Sequence, residues 1–414
     1  MLKLYNTMSR NLERFVPRQP HTVKMFTCGP SIYRRPHIGN YRSFLWEDVL
    51  QRYLEFKGHT VERVINFTDV EDKAIAEAEK EGLSVEKLTG SIAEHFYQDC
   101  KLLRIKLPDF IPRSSTCIDQ AVELIQVLLQ KGYAYWHGGD VFYDPLKFKG
   151  FGKLFRLDMK RWPKERRRFR RDTYPGRRWN LGDFILWHGR RDGEALYWDT
   201  PIGKGRPAWN IQDPAIITKH LGYTIDIACG GIDNLYRHHD YNIAVIEAVS
   251  GEEFARYWVH GGHLLADGKK MSKSRGNIIY PEDLVARGLS GEHIRFYLIC
   301  GQHGRDMNLT QKHLDAAADK LNALRQALAE LSVPTNLANK AHGEARKLIG
   351  DLTTGFAEAM DQDLNVKLAV DGLQQKLTRL CQMKQKGMLC KEDLTSIHAA
   401  LKKVDQVLQV VFPR

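Results

Sequence analysis

No run of about eighteen apolar residues occurs in the 414-residue chain, which argues against a membrane-spanning helix. The opening stretch, Met1 to Arg10, mixes polar and apolar residues and has no secretory hydrophobic core, so the expected compartment is the cytoplasm. The 7 cysteines are odd in number and no two stand as CxxC, which points to free thiols in a reducing compartment and away from a disulfide framework. No internal repeat and no extended low-complexity segment occurs, so the chain reads as ordinary globular domains. Acidic residues are the scarcer charge: 50 Asp and Glu face 62 Lys and Arg, a formal net charge of +12. A basic surface favours polyanions, although solubility alone would also account for it.

What is present is patterned. Val23–Thr27 is a short apolar run ending at Cys28-Gly29-Pro30, and Tyr41–Phe56 then carries apolar residues at helical spacing. Thr60–Phe67 reads as a second strand, followed by a helix holding Ala74, Ala76 and Ala78. Strand and helix alternating in this way predict a parallel α/β sheet. Ser115–Lys131 reads as a helix, Tyr223–Ala228 as a strand, Asn242–Val249 as a helix and Tyr257–Leu265 as a strand. Between Tyr133 and Gly205 aromatics, glycines and arginines replace the helical period, which predicts an inserted, partly β subdomain. From Gln311 onward the text is rich in Ala, Leu, Lys and Gln and predicts a helical bundle. The expected domains are 1–132, an insertion at 133–205, a second catalytic half at 206–310 and the bundle at 311–414.

Two motifs carry chemistry. Pro36-His37-Ile38-Gly39-Asn40 follows a strand and opens a helix. Gly39 lets a ligand approach the backbone, the helix start offers free N–H groups to phosphate, and His37 can donate to a triphosphate oxygen. Lys270-Met271-Ser272-Lys273-Ser274 sits on a glycine-flanked loop, where two lysines can neutralise a leaving pyrophosphate. Either motif alone is common; the pair in this order is not.

The pair resembles the signature of class I aminoacyl-tRNA synthetases, and the surrounding text resembles cysteinyl-tRNA synthetase. The resemblance is carried by Phe26 to Tyr33, by Asn66 to Lys73 (NFTDVEDK), by Gly205-Arg206-Pro207-Ala208-Trp209, by Gly230-Gly231-Ile232-Asp233, by His238-His239 and by further segments from residue 2 nearly to the end. It implies an α/β fold with a Rossmann-like parallel sheet, an inserted subdomain and a C-terminal helical bundle. It implies ATP bound with Mg2+ by Gly29, His37, Gly39, Asn40, Lys270, Met271, Ser272 and Lys273, with His37, Asn40, Lys270 and Lys273 as the catalytic set. It places Cys28, Thr68, Trp209, Asp213, Asp233 and His238 around the amino acid, with Asp233 near its amine.

Members of that family recognise the substrate thiol through zinc. The four ligand positions here are Cys28, Asp213, His238 and Asn242, so two of four are changed. A neutral amide is a poor zinc ligand. Zinc is therefore not expected, though Cys28, Asp213 and His238 could hold a metal with water in the fourth place. Without zinc, Asp213 would suit a side chain carrying an amine, guanidinium or hydroxyl; a bond to Asn210 or His238 is the plainer alternative. The family's anticodon-binding domain is expected to be absent, which allows a small amine as acceptor, as in the relative that joins cysteine to an amino sugar. Against that, Lys160–Arg178 holds ten basic residues with interleaved aromatics. Arg166, Arg167, Arg168, Arg170 and Arg171 are the candidates there for an RNA acceptor. The leading expectation is a monomeric adenylate-forming ligase of altered amino-acid choice. A drifted cysteine–tRNA ligase and a non-catalytic RNA-binding or regulatory paralogue are the alternatives.

Overall fold

The computed structural model describes residues 1–158, 182–340 and 342–413, with Lys273 described for its backbone alone. The chain opens with a hairpin, β1 (Lys3–Asn6) and β2 (Asn11–Arg14), before the catalytic core begins. β3 (Thr22–Thr27), α1 (Ile38–Phe56), β4 (Thr60–Ile65), α2 (Asp72–Glu81), α3 (Val85–Leu102) and α4 (Ile118–Gln130) form its first half. The insertion contributes β5 (Ala134–His137), β6 (Asp140–Tyr143), β7 (Phe184–Gly189) and β8 (Gly205–Pro207). The second half holds α5 (Trp209–His220), β9 (Ile225–Gly231), α6 (Asp240–Ser250) and β10 (Ala255–Gly261).

The core sheet runs β10–β9–β3–β4, every pair parallel. Its side chains alternate between two apolar layers. Met25, Ile65, Ile227 and Val259 face α1, while their neighbours Phe26, Val64, Ala228 and Trp258 face α4, α5 and α6. Burial on both faces is what lets these strands read as continuous apolar runs. All four strands point their C-terminal ends to one edge, and Cys28, Asn66, Asp233 and Gly262 follow them there. Ligands of open parallel α/β sheets bind beyond that edge.

The insertion is a four-stranded antiparallel sheet, β5–β6–β7–β8. It covers 134–207 apart from 159–181, against a sequence expectation of 133–205.

Beyond β10 come β11 (Leu264–Ala266), β12 (Lys269–Lys270), α7 (Pro281–Ala286), α8 (Gly291–Ile299) and β13 (Met307–Leu309). These strands form a small sheet of order β12–β11–β13. One strand was expected over Tyr257–Leu265, but the chain breaks at Gly262-His263. The guanidinium of buried Arg42 reaches in there and takes the carbonyls of Gly262 and His263, together with those of Gln302 and Arg305. α9 (Gln311–Ser332), α10 (Gly343–Met360), α11 (Val366–Gln385) and α12 (Lys391–Leu408) then form the bundle. Arg295, fully buried, ties bundle to core: it donates to Asp48 of α1 at 2.6 Å, to the Leu408 carbonyl at 2.7 Å and to the Leu103 carbonyl at 3.1 Å.

Candidate active site

Beyond the C-terminal edge of the core sheet lies a cavity of about 490 Å³. Its walls come from segments far apart in sequence, including Cys28–Ser31, His37–Asn40, Trp209, Gly231–Asn234, Gly261–Leu264 and Lys270-Met271.

The first turn of α1 locks itself. The Gly39 backbone N–H donates to His37 Nδ1 at 3.1 Å, and the His37 N–H donates to Asn40 Oδ1 at 2.9 Å. This is a capping box built from the two polar residues of the motif. With Nδ1 accepting, the neutral ring carries its proton on Nε2. Burial lowers the His37 pKa, which keeps the ring neutral and able to donate. A side chain at Gly39 would press on the site, because a Cβ there would lie 2.8 Å from the His37 ring and 3.1 Å from the Met271 methyl. Met271 is thus packed directly on the turn that holds His37.

The second motif is held by its own tail. Asn277 accepts from the Ser272 N–H at 2.9 Å, and the side chains of Arg275 and Asn277 both donate to the Lys270 carbonyl, at 3.1 and 3.3 Å. The Lys270 ammonium meets Asp233 at 2.8 Å, and His263 Nε2 meets the other Asp233 oxygen at 3.4 Å.

At the inner end lies the cluster of the four expected metal positions. Cys28 Sγ, an Asp213 oxygen and His238 Nε2 lie within 4.8 Å of one another. Thiol, carboxylate and imidazole form a donor set that zinc accepts. The observed separations, however, are those of direct hydrogen bonds. His238 Nε2 is 3.0 Å from Cys28 Sγ and 2.8 Å from Asp213 Oδ2. Asn66 donates to Asp213 Oδ1 at 2.8 Å, and Asn242 turns its amide nitrogen to Asp213 Oδ2 at 3.5 Å. Burial alone would lower the His238 pKa; Cys28 and Asp213 outweigh it and raise the pKa well above its usual value. Burial pushes the Cys28 thiol up, against the pull of His238. A chain kink aims the imidazole: Arg237, just before it, has φ of +70°, a conformation that non-glycine residues adopt at a cost. The Trp209 indole stacks on the His238 ring at 4.3 Å.

The structure corrects one sequence expectation here. Asp213 is 1% exposed and does not line the cavity. Its oxygens are taken by His238, Asn66 and Asn242, so it is not free to meet a substrate cation. Of the two alternatives, the bond to His238 forms, while Asn210 donates instead to the Ile185 carbonyl at 2.9 Å. Cys28, Gly29, His37, Gly39, Asn40, Thr68, Trp209, Asp233, His238, Lys270 and Met271 all line the cavity. The Lys273 side chain and the Arg166, Arg167, Arg168, Arg170 and Arg171 cluster lie outside the described residues.

Sequence reasoning overlooked Asn66 as an organiser. It accepts from the Gly29 N–H at 2.7 Å and donates to Thr68 Oγ1 at 3.2 Å as well as to Asp213. Its place at the C-terminal end of a predicted strand was the available signal. His263, one residue past a glycine pair, was overlooked too.

Comparison with known proteins identifies the family and the fold. The family profile described as "tRNA synthetases class I (C) catalytic domain" matches residues 14–319. A cysteine–tRNA ligase of Chlamydia muridarum is 37% identical over 422 residues, covering 99% of this chain and 88% of the relative. One from Geobacillus thermodenitrificans is 37% identical over 424 residues, covering 99% of this chain and 86% of the relative. Among solved structures, Mycobacterium tuberculosis methionyl-tRNA synthetase in complex with methionyl-adenylate superposes with a TM-score of 0.71 at 15% identity, covering 94% of this chain and 92% of that one. The Campylobacter jejuni putative arginyl-tRNA synthetase gives 0.64 at 12% identity, over 96% of this chain and 94% of that one. At such identities these two show the shared fold.

Proposed function

The chain belongs to the class I tRNA synthetases, in the branch of the cysteine–tRNA ligases, and on that premise we propose that it activates an amino acid other than cysteine through a pocket that works without zinc. The general activity of that family is ATP-dependent ligation of an amino acid, with Mg2+ accompanying ATP. The observation that carries the finer reading is the closed hydrogen-bonded cluster of Cys28, His238, Asp213, Asn66 and Asn242. A metal would have to displace the proton shared among His238 Nε2, Cys28 and Asp213, and the fourth position offers only the neutral amide of Asn242. The residues therefore do not fit the family's four-ligand site.

In the first step a substrate carboxylate oxygen forms a bond to the α-phosphorus of ATP, and the bond from that phosphorus to the bridging oxygen breaks, releasing pyrophosphate. The protein contributes position and charge. The His37 Nε2–H donates to phosphate oxygen, Lys270 neutralises the leaving pyrophosphate, and Asp233 receives the substrate ammonium. Lys273 joins Lys270 by family resemblance. The substrate side chain faces Cys28, Thr68, Trp209 and His238. Among the described residues no free carboxylate faces it there, so a neutral or hydrogen-bond-accepting side chain suits the pocket better than a cation. In the second step the acceptor, a small amine or the 3′ end of a tRNA-like molecule, bonds to the aminoacyl carbonyl carbon as the bond from that carbon to the phosphate oxygen breaks and AMP leaves.

The test is amino-acid-dependent exchange of pyrophosphate into ATP across a panel of amino acids, together with elemental analysis. Exchange with a non-cysteine substrate and less than stoichiometric zinc are the expected outcomes. Exchange with no amino acid at all would sink the enzymatic reading. A second reading, a cysteine–tRNA ligase holding zinc on three ligands, is favoured by the convergence of three donor atoms within 4.8 Å. One zinc per chain with cysteine-specific exchange would establish it instead.

A further inference from the structure

The contact between Asp233 and Lys270 joins two residues that serve different substrates. Asp233 is the acceptor for the ammonium of the amino acid, and Lys270 is a cation for the triphosphate. Their side chains meet at 2.8 Å. Among the described residues Asp233 is the only ion-pair or hydrogen-bond partner recorded for the Lys270 ammonium.

Both side chains are accessible, 57% exposed for Lys270 and 58% for Asp233, so either can be reached by an incoming ligand. The backbone of Lys270 is fixed: it pairs with Leu265 in the β11–β12 ladder, and its carbonyl takes the Arg275 and Asn277 side chains. Asp233 is steadied on its other oxygen by His263 at 3.4 Å. Exchange of partners therefore requires only that the Lys270 side chain turn; no loop has to rearrange. A substrate ammonium arriving at Asp233 places a second cation beside the first, and repulsion drives the one with an alternative partner away. When ATP is present, that alternative is the triphosphate.

We propose that the Asp233–Lys270 pair couples the two substrates: the ammonium of the amino acid displaces Lys270 from Asp233 and so releases it to ATP. Reciprocity then requires ATP to tighten amino-acid binding by the same factor. His263 keeps Asp233 in place while Lys270 leaves. The proposal rests on the adenylate-forming reading above.

The test uses Mg-ATP alone, titrated calorimetrically into the full chain at low ionic strength without amino acid. Four proteins are compared: wild type, Asp233→Asn, Lys270→Gln and the double variant. Asp233→Asn removes the competitor for Lys270 and also one negative charge, and only the first effect depends on Lys270. An exposed ion pair of this kind is worth about a two- to five-fold change in affinity. The expected result is that Asp233→Asn tightens ATP by about that factor when Lys270 is present and by clearly less in the Lys270→Gln background. The extra gain should shrink in high salt. Equal gains in both backgrounds, or weaker ATP binding by Asp233→Asn, overturn the proposal and leave the adenylate reading standing. A wild-type protein that binds no ATP overturns both.

Discussion

Asp213 illustrates how a residue can govern a pocket from behind it. Its carboxylate is the common acceptor for His238, Asn66 and Asn242, and through them it sets the positions of Cys28, Gly29 and Thr68. Asp213→Ala leaves an imidazole and two amides without their buried partner. It should lower stability by about 3 kcal/mol, measured by urea denaturation, and should abolish exchange at the same time. A loss of exchange with unchanged stability would contradict this organising role. On the proposed reading, Lys273→Ala should lose far more in kcat than in amino-acid affinity, because the charge it would meet develops during reaction. The sequence pointed to both residues, since their places in the family's motifs are plain. It did not reveal which way Asp213 faces. Orientation depends on Asn66, which is 147 positions away in sequence, and one-dimensional spacing holds no record of that contact.

Elements were legible where their periodicity was strong, and less so where a motif doubled as a cap. The helix expected from Tyr41 begins at Ile38, because His37 and Asn40, the polar residues of the motif, are its capping box. The strand expected over Tyr257–Leu265 splits in two because Arg42, more than 200 residues earlier, draws the Gly262 and His263 carbonyls out of line. α6 shows a third effect. Its first residue, Asp240, accepts the backbone N–H groups of Leu154 and Phe155, both at 3.0 Å, and so anchors the insertion to the core. Burial raises its pKa from the usual 3.8 to about 6, against those two hydrogen bonds. The unfolded chain therefore ionises at this residue first. As pH rises from about 4 to about 6 the folded state loses stability at this site, by about 3 kcal/mol in all. Asp240→Asn should flatten that part of the stability profile, as seen by denaturant titration at pH 4 and pH 7. A variant whose profile matches the wild type across that interval would show that the group is not the source.

At the scale of the whole molecule the alternation of strands and helices, the insertion and the bundle were all visible as changes of texture. How the bundle meets the core was not, because that junction depends on single buried arginines and not on any periodic pattern. Arg295 reaches from α8 to α1 and to the end of α12. Arg295→Ala should cost about 3 kcal/mol or more and expose the α12 end to protease, since several buried carbonyls lose their donor. Arg295→Lys should recover little of this, because one ammonium cannot span the same fork of acceptors. The small sheet of order β12–β11–β13 has a mechanical consequence of its own. Lys270 ends β12, and two residues after β13 the chain enters the 22-residue helix α9. The long helix thus departs from β13, which β11 alone separates from the strand of Lys270. A displacement of α9 would therefore reach Lys270 through three hydrogen-bonded strands.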